Sequence, residues 1–350
     1  MNSKKILRFI TIFLMIFYNF TGTFNSITKD LQSLILIMVI FAFFFLIFSE
    51  KYKRKDFNKI ILLFFIVLVV FLITKNTNFL FLIIVSMVYY HGEKKELAKY
   101  FFISLLFNFL LIIIMNFFGI IPSHNLSRNG QIRYSLGFIH PNSVFLYYFL
   151  ICCSLFYIND NKKIKFITLL VALLLYKYSL SRTGIISYFI LLFLTSFDLE
   201  KIKWRKMTQY GFIIFTIFTI LSTFLYSNNH FLFLNEIFSD RLYNYNYYIN
   251  NGLLNSPFGL LNNSLSNLYT IDNLYLIIFY NYGFIGFIIL IIAFIKSIDN
   301  IHNDNLFLKI VFSCLIYGIC ESSIILTNIN FTLPILTLYL LNFKRVNENE

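Results

Sequence analysis

The chain has 350 residues, of which 59% are hydrophobic and only 13% charged, and its mean hydropathy is +0.75. A soluble domain has no need of so much apolar surface, and repeated apolar runs of roughly 17–25 residues are typical of membrane-spanning helices. The composition therefore excludes a soluble globular protein. It predicts an all-α, polytopic integral membrane protein, with residues 1–350 forming a single membrane domain.

The formal net charge of +13 could suggest a nucleic-acid-binding protein, but the positions of the charges indicate otherwise. If the N-terminus is cytoplasmic and each apolar run crosses once, 22 of the 29 lysines and arginines fall on the cytoplasmic side. This asymmetry is the positive-inside bias of membrane proteins. The excess of lysine and arginine is therefore explained by the orientation of the chain in the membrane, and we expect no nucleic-acid partner.

About twelve apolar runs are long enough to count as candidate spans. Twelve crossings put both termini in the cytoplasm, which agrees with Lys344 and Arg345 near the C-terminal end. The predicted spans are 6–22, 31–49, 59–74, 79–90, 100–120, 143–158, 164–180, 183–199, 209–226, 273–295, 306–326 and 331–343.

The turns predicted to be cytoplasmic are short and basic, and the chain contains no Walker or G-x-G-x-x-G pattern, which disfavours an ATP-driven pump. All four cysteines lie in apolar segments without metal-ligand or disulfide spacing, so we interpret them as small core residues. We expect no metal and no cofactor.

Arginine is concentrated among the cations predicted to lie outside. Four of those seven cations are arginines (Arg128, Arg133, Arg182 and Arg241), against four of the 22 inner ones. Topology alone would accept lysine, whereas the planar guanidinium binds phosphate or carboxylate through two parallel hydrogen bonds. The skew predicts an anionic ligand on the outer side.

The first outer region runs from Ile121 to Asn142 and ends in Gly-Phe-Ile-His-Pro-Asn. Proline disfavours helix at the residue before it and is favoured at the first helical position, so the pattern predicts a helix starting at Pro141. His140 and Asn142 would then face the outer vestibule. Helix capping and substrate contact are equally open roles for these two side chains.

The second outer region is the Ser181-Arg182-Thr183-Gly184 turn between two spans. A charge at the rim of the hydrocarbon is costly and usually has a partner or a function. Arg182 could be an end-of-helix cation whose side chain reaches the interface. The preferred interpretation is a contact with phosphate or pyrophosphate.

The third outer region is the long polar stretch 227–272, in which aromatic residues, Pro257 and two glycines predict an ordered loop. Arg241 could pair locally with Glu236 or Asp240, or bind an anion. Asp272 could be an N-cap, a role that would not exclude catalysis.

Glu321 lies inside the predicted span 306–326, near its outer end. A carboxylate inside a membrane helix is a functional candidate, although a hydrogen bond between helices would also explain it.

Taken together, these residues resemble the O-antigen polymerase/ligase superfamily. The resemblance rests on G-F-x-H-P-N at 137–142, S-R-T-G at 181–184, S-x-R-x-x-x-Y from Ser239 to Tyr245, P-F-G at 257–259, D-N-x-Y-L from Asp272 and the glycine pair Gly283/Gly286. An R-x10-G spacing from Arg241 to Gly252 is a further likeness. The motifs cover residues 121–295 and are most similar to those of capsular and exopolysaccharide repeat-unit polymerases.

The resemblance implies a metal-independent glycosyltransferase that joins undecaprenyl-diphosphate-linked oligosaccharides on the outer face of the bacterial cytoplasmic membrane. Arg241 and Arg182 would stabilise the departing diphosphate, and Asp272 would be the general base. Ligase members commonly have His-Asn where this chain has Asp272-Asn273, which favours a polymerase. Chain-length regulator and flippase proteins are candidate partners, besides membrane lipid. The substrate-binding residues that we predict are Arg133, His140, Asn142, Tyr243, Asn273 and Glu321.

Two alternatives remain open. One is a ligase of the same fold that transfers finished glycan to a different acceptor. The other is a flippase or transporter for lipid-linked oligosaccharide, which the long outer loop and the lack of a detectable internal repeat disfavour.

Overall fold

The computed structural model describes residues 3–21, 29–49, 77–90, 92–128, 130–197, 202–227, 241–259 and 271–341, with short pieces at 58, 61–65, 67–68, 71–72 and 235. These residues are mostly helical, as predicted. Of the predicted span 59–74, the structure describes only the pieces 61–65, 67–68 and 71–72. The chain divides into two compact units, Met1–Ser196 with Leu326–Glu350, and Phe197–Ile325. A single membrane domain over residues 1–350 stays a prediction.

The first unit contains eight of the described helices and a small hairpin. The helices are α1 (Ser3–Thr21), α2 (Lys29–Ser49), α3 (Thr77–Val88), α4 (Lys94–Phe117), α5 (Pro141–Ile158), α6 (Lys162–Ser179), α7 (Arg182–Ser196) and α12 (Thr332–Leu341). Strands β1 (Leu126–Arg128) and β2 (Gln131–Arg133) pair antiparallel between α4 and α5. The hairpin was not predicted from the sequence.

The second unit contains α8 (Trp204–Ser227), α9 (Arg241–Asn250), α10 (Leu274–Asp299), α11 (Asn305–Gly318) and a 3₁₀ turn, Ser322–Ile325. Aromatic side chains form the contacts between α8, α10 and α11: the ring centroids of Phe212 and Tyr275 are 5.4 Å apart, and those of Phe215 and Phe312 are 5.7 Å apart. The short helix α9 lies within the predicted loop 227–272.

Five of the described helices are long and apolar enough to cross a membrane, namely α2, α4, α5, α8 and α10. Helices α3, α7, α11 and α12 are apolar but shorter. Large apolar side chains on α2 are exposed, with Phe41 at 73% and Phe48 at 72%, and lipid is the solvent that suits such a surface. The protein is therefore a helical membrane protein.

Helix α5 begins at Pro141, which confirms the predicted start. His140 is extended (φ −143°, ψ 144°) and its Nδ1 accepts a hydrogen bond from the Asn142 backbone N–H at 3.0 Å. Proline at the first helical position has no N–H to satisfy. His140 is thus the N-cap of α5.

The R-x10-G spacing corresponds to the length of helix α9. Arg241 is its first residue, and Gly252 (φ +83°) follows its end. The Gly252 N–H donates to the carbonyl of Ile249, and the Leu253 N–H donates to that of Tyr248. These two bonds form a Schellman motif, which favours glycine because this position needs a positive φ.

The P-F-G segment docks on a kink in helix α10. Gly283 has φ +66° and ψ −171° inside that helix, and the backbone N–H groups of Phe284 and Ile285 donate to the carbonyls of Ser256 and Pro257 at 2.9 and 3.2 Å. A Cβ at Gly283 would collide with the backbone of Gly259 and lie 2.5 Å from the Phe258 nitrogen. The P-F-G motif and the glycine pair therefore form one contact, which holds residues 256–259 against helix α10.

Candidate active site

The site is built around an ion pair between the buried Arg241 and the accessible Asp272. The Arg241 Nε donates to Asp272 Oδ2 at 3.4 Å. The Arg241 side chain is 9% exposed, whereas that of Asp272 is 38% exposed. The cation is thus held inside the second unit, and its carboxylate partner remains accessible. The alternative partners Glu236 and Asp240 lie outside the described residues.

Asn273, not Asp272, is the N-cap of helix α10, so the structure rules out the alternative capping role of Asp272. The Asn273 Oδ1 accepts from the N–H groups of Tyr275 and Leu276 at 2.9 and 3.0 Å. Its Nδ2 donates to the Ile319 carbonyl at 2.7 Å. A neutral amide can both accept and donate in this fully buried position, where a carboxylate would be an uncompensated charge.

The cap also decides which groups are free to bind a ligand. Asn273, predicted to bind substrate, is fully buried, and both of its amide atoms are used within the protein. Asp272 precedes the cap, so its carboxylate is available to Arg241 and to a ligand. The adjacent pair Asp272-Asn273 therefore divides into one accessible carboxylate and one structural amide.

Glu321 joins the site from the segment between α11 and α12. Helix α11 ends at Gly318, so the prediction that Glu321 lies within a helical span over 306–326 is wrong. Its Oε1 accepts from the Ser323 N–H at 3.2 Å, and this local bond replaces a helical one. Burial, and next the charge of Asp272, raise the pKa of the Glu321 carboxyl, while the nearby Arg241 charge opposes the rise.

Tyr245 is a site residue that the candidate list from the sequence omitted. Its side chain is 1% exposed, and its hydroxyl has no hydrogen-bond partner among the described residues. Arg241 and Tyr245 are four residues apart in α9, a spacing that puts them on one helix face. That spacing within S-x-R-x-x-x-Y was a signal that could have identified Tyr245. A buried hydroxyl without a partner is costly, and this one lies on the same face of α9 as Arg241.

In the first unit, three predicted substrate-binding residues come together. Arg133 donates from Nη2 to Asn142 Oδ1 at 2.5 Å and from Nε to the Ser179 carbonyl at 3.1 Å. Asn142 in turn donates its backbone N–H to His140. Arg133 is 8% exposed and ties the last residue of α6 to the start of α5. This cluster is a structural junction, and its binding role stays a prediction.

Arg182 is exposed at the first position of α7. Among the described residues, its guanidinium has neither a hydrogen bond nor an ion pair. Gly184 follows one half-turn later against Phe145 of α5, where a Cβ would collide with that side chain. The S-R-T-G turn thus combines close helix packing at its glycine with an accessible cation.

The remaining predicted site residue is Tyr243. Tyr243 is 49% exposed on α9, and its backbone N–H donates to Asn235 Oδ1 at 3.2 Å. Among the described residues, no group of three or more His, Cys, Asp or Glu side chains is arranged to hold a metal ion.

Glu321 predicts a pH dependence of stability. Because its pKa is raised from an ordinary value of 4.5, the folded protein binds more protons than the unfolded chain at pH values above 4.5 and up to the folded pKa. Stability must then fall as pH rises through this window. We expect Glu321→Gln, which cannot ionise, to lose less thermal stability than wild type as pH rises above 4.5.

The control is Glu93→Gln, which removes a carboxylate from an exposed position. Melting temperatures in detergent across the pH series measure the effect. A wild-type pH profile that Glu321→Gln leaves unchanged would mean that Glu321 ionises as readily in the folded protein as in the unfolded chain.

No protein-family model, no curated protein and no solved structure matches this chain.

Proposed function

We propose that this protein is a polysaccharide polymerase, which joins undecaprenyl-diphosphate-linked oligosaccharide repeat units on the outer face of the bacterial cytoplasmic membrane. The observation that carries the proposal is the Arg241–Asp272 pair, in which a buried guanidinium holds an accessible carboxylate. The sequence resemblance and the apolar helices support the same function.

The proposed reaction needs a base and a stabilised leaving group. An acceptor hydroxyl oxygen forms the new bond to the anomeric carbon of the donor, and the bond from that carbon to the diphosphate breaks. Asp272 takes the hydroxyl proton, and the leaving diphosphate takes the electron pair. Arg241 offsets the charge that develops on the diphosphate.

Two further groups beside Arg241 fit this chemistry. Burial raises the pKa of the Glu321 carboxyl, whose oxygens can bind a sugar hydroxyl. The Tyr245 hydroxyl is a second polar group on the helix face of Arg241, and it has no hydrogen-bond partner among the described residues. In the first unit, exposed Arg182 is proposed as an additional contact for phosphate.

The topology that we propose has twelve spans, cytoplasmic termini and residues 227–272 outside the membrane. The positive-inside bias supports this orientation, and the diphosphate carrier explains why arginines are concentrated on the outer side. No cofactor takes part in the proposed reaction.

The test is reconstitution with a synthetic undecaprenyl-diphosphate repeat unit, chosen from the host's own polysaccharide locus. We expect purified protein in detergent to produce a ladder of polymers that remain attached to undecaprenyl diphosphate. Transfer of preformed glycan to a different acceptor would instead identify a ligase. Absence of any product from a verified substrate, together with repeat units accumulating on the inner leaflet of a deletion strain, would identify a transporter.

A further inference from the structure

The first unit contains a cavity of about 790 Å³ where α1, the start of α4 and the end of α5 meet. Its residues belong neither to the Arg241 site nor to the Arg133 junction. Lys5 and Arg8 of α1, Lys95 and Lys99 of α4, and the acids Glu93 and Glu96 supply its charged lining. With four cations and two carboxylates, the lining carries a net charge of +2.

The two acids do not neutralise the cavity. Glu96 accepts from Lys5 Nζ at 3.1 Å and from the Tyr100 hydroxyl at 3.1 Å. The charge of Glu96 is therefore paired with that of Lys5, and three cations of the lining remain. Glu93 is exposed at the N-cap of α4, where it makes no side-chain capping bond. The positive charge that remains favours an anionic ligand.

Arg8 shows that this charge extends below the surface. Its side chain lies in α1, and the residue is 9% exposed. Its guanidinium carbon lies 5.6 Å from the centroid of the Tyr89 ring, within the range of a cation–π contact. Arg8 therefore adds a largely buried positive charge to the lining of the cavity, which strengthens its attraction for an anion.

The other side of the lining is apolar, which distinguishes a lipid from a free phosphate. Phe9, Ile103 and Ile158 contribute to it. From Ile103, exposed side chains continue along one face of α4 through Phe107, Leu110 and Ile114, each 38–53% exposed. Their spacing of four, three and four residues forms a stripe along the helix. A basic cavity that opens onto an apolar stripe matches a charged headgroup followed by acyl chains.

We propose that this cavity binds the headgroup of an anionic phospholipid, whose acyl chains lie along the exposed face of α4. The cavity lies at the lysine-rich end of α1, which the charge distribution predicts to be cytoplasmic. Basic sites between membrane helices on that side are suited to anionic headgroups.

The experiment is native mass spectrometry of the purified full-length protein, titrated with phosphatidylglycerol or with phosphatidylcholine of the same acyl chains. The cavity variant is Lys95→Gln/Lys99→Gln, which removes two exposed lining charges. The matched control is Lys162→Gln/Lys163→Gln, which removes two exposed lysines at the start of α6, away from the cavity.

We expect wild type and the control to bind phosphatidylglycerol more tightly than phosphatidylcholine, and the cavity variant to lose about 30-fold in affinity for phosphatidylglycerol, equivalent to about 1 kcal/mol per lysine removed. Equal affinity for the two lipids, or equal losses in both variants, would overturn the proposal. Displacement of the lipid by millimolar glycerol 3-phosphate would also overturn it, because free phosphate would then suffice. None of these outcomes depends on polymer formation, so the lipid site and the proposed polymerase activity can fail independently.

Discussion

Arg241→Ala is expected to reduce polymer formation by about 10²- to 10³-fold, the usual loss when one donor that stabilises a developing anion is removed. Asp272→Asn should cause a comparable loss, since the amide cannot accept the acceptor's proton. Arg241→Lys should restore little activity, because an ammonium does not reproduce the planar guanidinium beside Asp272. Rates of ladder growth with a fixed amount of lipid-linked repeat unit measure all three.

The matched control is Arg205→Ala, which removes another arginine of the second unit. Arg205 donates to the Ile301 carbonyl at 2.8 Å and is far in sequence from the loop motifs. We expect this variant to polymerise at nearly the wild-type rate. Melting temperatures of every variant must accompany the rates, because Asp272→Asn leaves the buried Arg241 guanidinium without its carboxylate partner, which destabilises the fold. A folded Arg241→Ala protein with full activity would remove Arg241 from the mechanism.

The role of Arg182 can be tested separately from that of Arg241, because the two side chains differ in burial. Arg182 is exposed and has no described partner, so its replacement carries no stability penalty from a broken pair. A loss of activity in Arg182→Ala without a change in melting temperature would therefore reflect ligand binding. Unchanged activity would remove Arg182 from the proposed mechanism.

Gly283→Ala is expected to destabilise the protein by at least about 3 kcal/mol. The backbone at φ +66° and ψ −171° is a conformation that essentially only glycine adopts. The added Cβ would also press on the backbone of the P-F-G segment, which cannot move aside as a flexible side chain could. Thermal unfolding in detergent measures the loss, and hydrogen exchange of residues 256–285 locates it.

Gly252→Ala distinguishes the cost of backbone strain from the cost of a steric collision. Gly252 also has a positive φ, +83°, but a Cβ there would meet no atom within 4 Å. We expect a cost of about 1–2 kcal/mol, the usual penalty for a left-handed conformation in an L-residue. The faster exchange of the Phe284 and Ile285 amides should appear only in Gly283→Ala. Equal effects of the two substitutions would mean that the close contact between the motifs contributes nothing.

The contact between the P-F-G segment and Gly283 explains how motifs that are far apart in the sequence come together at one candidate site. The chain leaves α9 at Gly252 and contacts α10 where Gly259 meets Gly283, while Asp272 and the N-cap Asn273 directly precede α10. Arg241 at one end of α9 thus reaches a carboxylate 31 residues later in the chain. The P-F-G and glycine-pair motifs shape the backbone, whereas Arg241 and Asp272 are the residues that we propose to act in the reaction.

The membrane class, the start of α5 at Pro141 and the positions of most described helices follow from the sequence by itself. Each depends on residues close together in the chain: hydropathy is summed over one run, and the His-Pro pair restricts its own backbone. The pairing of Arg241 with Asp272, the cap at Asn273, the early end of α11 and the orphaned Tyr245 hydroxyl were decided only by tertiary structure. These features depend on which groups meet through space, because a buried charge or amide takes the partner that packing brings to it, and no local pattern specifies that partner.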